Sequence, residues 1–86
     1  MTARKRIEVA ERMYNLLFDI WDNGDKSESV KKYNLSLNDI RTIENIYHRC
    51  RSGKGAYTLS EKIKSMYDDF GFNVTVNGIG WLISLD

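Results

Sequence analysis

The stretch SESVKKYNLSLNDIRTIENIYHRCR, residues 27–51, decides the fold. Its apolar residues fall into two helical segments joined by a short turn. The first segment predicts a helix that runs to Tyr33 and ends at Asn34 in the left-handed conformation, with Leu35 tucked back against the last turn. A second helix starts at once. Ser36 is placed to cap its N-terminus, and Asp39 puts a negative charge in its first turn, where the helix dipole favours it. Leu37, Ile40, Ile43, Ile46, Tyr47 and Cys50 then recur at helical spacing and predict its buried stripe.

The segment before it is the most regular in the chain. Ile7, Val9, Ala10, Met13, Tyr14, Leu16, Leu17, Phe18, Ile20 and Trp21 occupy an arc of roughly 200° on a helical projection, with Glu8, Glu11, Arg12, Asn15, Asp19 and Asp22 opposite. A helix over 5–22 follows. The arc is wider than one core requires, which leaves two readings open: burial inside its own domain, or a contact between two copies in a homodimer. Asn23-Gly24-Asp25 ends this helix, and Asp25 or Ser27 caps a short one over 26–33. That helix offers only Val30 and Tyr33 to a core, so tertiary contacts must hold it.

The third helix, over 37–51, has an outward face of Asn38, Arg41, Thr42, Asn45, His48 and Arg49 within roughly 120°. Arg forms paired hydrogen bonds with guanine and Asn with adenine, while Thr and His reach backbone oxygens. Contact with a protein, or plain solvation of the face, stays open beside that reading. In the segment 52–57, Gly53 and Gly55 break the helix, predicting a mobile basic loop that carries Arg51 and Lys54. It is not a nucleotide-binding loop, since it lacks the earlier glycine and the hydroxyl after Lys54 that such loops need.

Thr58 with Glu61 makes a capping-box pattern for a fourth helix over 59–70, whose stripe is Leu59, Ile63, Met66, Tyr67 and Phe70. The C-terminus alternates as strands do. Asn77-Gly78 as a two-residue turn predicts a two-stranded antiparallel hairpin over 72–85 that pairs Val76 with Ile79, Val74 with Trp81 and Phe72 with Ile83.

These 86 residues, 42% hydrophobic and without proline, describe one α+β domain over 1–86. A net charge of +1 gives no global attraction to nucleic acid, but charge is distributed unevenly. Residues 30–55 carry six Lys and Arg against two Asp and Glu, whereas residues 13–29 carry one against four. One cysteine excludes an internal disulfide and multi-cysteine metal sites, fitting a reducing cytoplasm. No apolar run has the length of a membrane span, and the N-terminal TARKR leads into an amphipathic helix. His48, Cys50 and scattered carboxylates form no triad, dyad or metal set, so no enzyme, cofactor or metal is expected.

VKKYNLSLNDIRTI resembles the helix-turn-helix signature of bacterial and phage DNA-binding proteins over about a quarter of the chain, with Val30, Tyr33, Leu35, Ile40 and Ile43 at its apolar positions. The resemblance implies double-stranded DNA as partner and Ser36 as the start of the recognition helix. With the hairpin added, the fold is winged-helix-like, although a helix intervenes before the hairpin. The contacts expected on nucleic acid are Asn38, Arg41, Thr42, Asn45, His48, Arg49, Arg51 and Lys54. A second expectation comes from another class. The compact, proline-free chain, rich in Asn and Ile, resembles small phage-borne inhibitors such as anti-CRISPR proteins, which bind a host protein or nucleoprotein complex. The acidic residues Asp19, Asp22, Asp25 and Glu28 are its candidate surface.

Overall fold

The computed structural model describes residues 2–85, apart from the side chain of Asp25. Four α-helices and a three-stranded antiparallel sheet form an α+β fold. Helix α1 spans Ala3–Asn23, two residues longer than expected at its start because the Thr2 hydroxyl caps it, accepting from Lys5 N–H. The expected 26–33 helix divides into a 3-10 turn, Gly24–Lys26, and α2, Glu28–Tyr33, because Ser27 takes an extended conformation and caps α2 by accepting from Val30 N–H.

The junction of α2 with α3 forms as its local chemistry dictates. Asn34 is left-handed, with φ and ψ both 51°. Leu35 N–H donates to the Val30 carbonyl at 3.0 Å, and its side chain is buried. Helix α3, Leu37–Arg51, begins in a reciprocal box: Ser36 Oγ accepts from Asp39 N–H, and Asp39 Oδ2 accepts from Ser36 N–H at 2.8 Å. Lys62 locks this junction to the next helix, donating from Nζ to the Asn34 carbonyl at 3.0 Å and pairing with Asp39 at 2.6 Å. On the other side of the turn Tyr33 Oη donates to Asp69 at 2.5 Å. The short α2 is therefore held by α4.

Burial alone would raise the Asp39 carboxyl, but the hydrogen bonds from Lys62 and from the Ser36 backbone and hydroxyl outweigh it and hold the group below its ordinary 3.8. A depressed folded value stabilises the fold above the ordinary value and is lost as pH falls through the folded one. Asp39→Asn is thus expected to cost about 1 to 2 kcal/mol at neutral pH. Thermal melts from pH 7 downward check this: the gap between wild type and variant should close below pH 3.8.

Helix α4 spans Glu61–Asp69 and is capped by Ser60, not by Thr58 as expected. The reason lies upstream. Ala56–Tyr57 form a strand, β1, within the segment expected as loop, and the chain needs the next residues to leave the sheet. Strands β2, Phe72–Val76, and β3, Trp81–Leu85, complete a sheet of order β1-β3-β2 in place of the expected two-stranded hairpin.

The register also differs. Val76 pairs with Trp81, Val74 with Ile83 and Phe72 with Leu85, so the tip is Gly78-Ile79, closed by Asn77 N–H donating to the Gly80 carbonyl at 3.0 Å. Each partner moves by two residues, which preserves the faces because side chains alternate with period two. Ile79, expected to pair with Val76, is 85% exposed. Close approach of β1 explains the displacement: a Cβ on Gly80 would lie 2.7 Å from the Tyr57 carbonyl oxygen, so only glycine lets β1 dock there.

Helix α1 is the centre of the core. Val9, Met13 and Leu17 are wholly buried against α3 and β3, with Ile43, Ile63, Met66, Tyr67 and Ile83 around them. Arg12 ties α1 to the end of α4, donating to the Phe70 carbonyl at 2.6 Å and lying 5.0 Å over the Phe72 ring. Leu37, expected in the buried stripe of α3, is 67% exposed because it sits on the first turn, beyond the reach of α1.

Candidate nucleic-acid interface

Packing of α3 on α1 through Ile43, Ile46, Tyr47 and Cys50 turns the opposite side of α3 outward. Asn38, Arg41, Asn45, His48 and Arg49 are all exposed along it. Among the described residues, the side chains of Asn38, Arg41 and Asn45 make no hydrogen bond or ion pair, so their donors and acceptors face solvent. Thr42 differs. It is half-buried at the edge, and its hydroxyl donates to the Asn38 carbonyl at 3.0 Å, which removes it from the free set.

The end of the face is more ordered than a solvated helix end. The His48 ring lies against Tyr47 at 5.1 Å, and the Arg49 guanidinium sits 5.7 Å over the Tyr57 ring. Burial pushes the Tyr57 phenol up, so it stays neutral as it donates to the Lys54 carbonyl at 2.8 Å. The expected mobile loop is instead folded back on the helix. Gly53 N–H donates to the Cys50 carbonyl at 3.1 Å and Lys54 N–H to the Arg49 carbonyl at 2.9 Å, while Ser52 Oγ donates to the His48 carbonyl at 2.9 Å. Arg51 belongs to α3, and Lys54 is displayed beside it on a tied turn.

Two cations not expected in the site join this end. Arg6 packs against Gly53, its guanidinium lying 2.9 Å from where a Cβ would stand, and its carbonyl faces the Cys50 thiol at 3.9 Å. Lys5 and Arg6 line one cleft with Gly53 and Lys54, and Arg6 shares a groove with Arg51. Lys5, Arg6, Arg49, Arg51 and Lys54 thus form one basic end, opposed nearby by Glu8, which Lys5 approaches at 3.9 Å. The run TARKR was visible in the sequence, but nothing local placed it beside the end of α3. Burial raises the Cys50 thiol, keeping it protonated and part of the core.

The acidic residues do not come together in the same way. Asp19 accepts from Asn23 Nδ2 at 2.6 Å and from Ser27 Oγ at 2.9 Å, so it braces the turn after α1. With Glu28, Arg12 and Lys26 it lines a groove of about 670 Å³, where both charge signs alternate away from the α3 face. Asp22 is exposed outside that lining, and the Asp25 side chain lies outside the described residues. Among the described residues no three His, Cys, Asp or Glu side chains group as metal ligands, and no helix is long and apolar enough to cross a membrane. No protein-family model matches the chain, and no curated protein or solved structure matches it.

Proposed function

We propose that this chain is a small non-enzymatic DNA-binding regulator of the cytoplasm, with the exposed face of α3 in the major groove of duplex DNA. The observation that carries the reading is the continuity of two surfaces: an unengaged row of Asn38, Arg41 and Asn45, leading into a basic end built from both chain regions. Arg41 suits guanine, and Asn38 and Asn45 suit adenine. Arg49, Arg51, Lys54 and the N-terminal Lys5 and Arg6 neutralise phosphates on either side, and His48 hydrogen-bonds to backbone oxygens. The capped α2-turn-α3 unit resembles a helix-turn-helix, and the sheet that follows makes the whole winged-helix-like. The hairpin tip takes no role on DNA.

Five cations at the basic end predict that the logarithm of affinity falls with the logarithm of salt concentration at a slope of about −4.5. Fluorescence anisotropy with mixed genomic duplex fragments over a salt series checks it. No binding at low salt, or binding indifferent to salt, rejects the reading. The alternative, an inhibitor resembling anti-CRISPR proteins that blocks a host protein or nucleoprotein complex, draws on the near-neutral net charge. Recovery of a stoichiometric host protein from nuclease-treated lysate, without any duplex binding, is the result that favours it.

A further inference from the structure

We propose that two copies of this chain associate through the exposed side of α1, antiparallel about a two-fold axis at Tyr14. The DNA reading is not needed for this. Ile7, Tyr14, Phe18 and Trp21 share one side of α1 and are 55, 43, 53 and 47% exposed, although the helix already buries Val9, Met13 and Leu17 on its inner side. Such a contiguous apolar ridge on a small domain marks an interaction surface. Its rings are already ordered. Tyr14 lies 6.3 Å from Phe18, 6.2 Å from Trp21 and 5.8 Å from Tyr47, and Trp21 Nε1 donates to Glu44 at 2.6 Å, so only its ring face is left to offer.

A second copy is the occupant because this side of α1 carries both a knob and its hole. Beside the ridge lies a groove of about 470 Å³ in which Ile7, Ala10, Tyr14 and Tyr47 sit among Arg6, Glu11, Asn15 and Arg51, with the small Ala10 on α1. A two-fold at Tyr14 sets Phe18 of each copy over Ala10 of the other, and Ile7 against Trp21. This is the self-complementary arrangement an isologous contact requires. Charge selects the same direction. Arg4, with 94% of its side chain exposed, and Asp22 flank the ridge on the same side of the helix. Antiparallel packing brings Arg4 to Asp22 of the second copy twice over, whereas parallel packing sets like against like. The half-exposed ridge offers roughly 400 Å² per copy, and with its rim the pair reaches the ~1,000 Å² a specific interface needs.

Sedimentation equilibrium of the full chain without DNA is expected to give twice its 10.0 kDa mass. Phe18→Glu should weaken the dimer about 30-fold or more while leaving the helical circular dichroism unchanged. Arg4→Asp and Asp22→Arg should each weaken self-association, and mixing the two should restore it as a heterodimer, since every contact is then between opposite charges. A wild-type chain that stays at 10.0 kDa at its highest soluble concentration overturns the proposal. So does a dimer indifferent to Phe18→Glu, or a mixture no tighter than its components. A monomer whose capture of another protein is lost in Phe18→Glu overturns it too and assigns the ridge to that protein.

Discussion

The double variant Arg41→Ala/Asn45→Ala is expected to lose about 2 to 6 kcal/mol of binding to a specific duplex, roughly 30-fold to 10⁴-fold in affinity. Both side chains are exposed and without intramolecular partners among the described residues, so melting temperature and circular dichroism should stay as in wild type. The salt slope should also persist, because base contacts release few counterions. Arg51→Ala/Lys54→Ala should do the reverse, weakening all duplexes alike and reducing the slope by about 2. Duplexes selected from a random pool, then titrated with each variant by anisotropy, separate the two effects. Equal affinity of wild type and Arg41→Ala/Asn45→Ala for the selected site would remove α3 from the groove.

The inward side of the same helix gives the second large effect. Ile43 is wholly buried between α3 and the central core, and Ile43→Ala is expected to cost about 2 to 5 kcal/mol through lost transfer energy and the cavity left behind. For a domain of this size that is a large share of roughly 5 to 13 kcal/mol of stability. Thermal unfolding followed at 222 nm should shift downward by on the order of 15 °C. Leu37→Ala on the same helix should move it by less than about 3 °C, because Leu37 is 67% exposed. Sequence periodicity puts both residues in one stripe, so equal shifts would mean that the packing of α3 differs from that described.

That contrast shows where sequence reading stops. Ser36, Asp39, Asn34 and Leu35 announce the junction of α2 and α3 because a cap or a left-handed turn is made by residues within five positions of each other. The outward face of α3 was legible for the same reason, since a helix of known start and period fixes which residues share a side. Thr42 was the exception. Its hydroxyl competes for a backbone carbonyl, a choice that helical spacing does not report.

The sheet and the basic end belong to a different class of information. Ala56-Tyr57 is too short to read as a strand, and only β3, some 25 residues later, makes it one. Gly80 is an ordinary turn residue until the Tyr57 carbonyl lies against it, and that contact moves the hairpin tip to Gly78-Ile79. Arg6 reaches Gly53 because α1 and α3 pack along one another, which joins two basic segments far apart in the chain. By itself, then, the sequence determined the α2-to-α3 junction, the inner stripe of α1 and the exposed side of α3, all consequences of short-range backbone chemistry and helical period. Tertiary structure alone decided the third strand, the register, the union of the cations and the uncovered ridge of α1. Each of these depends on which distant surfaces exclude water together, and no local rule carries that.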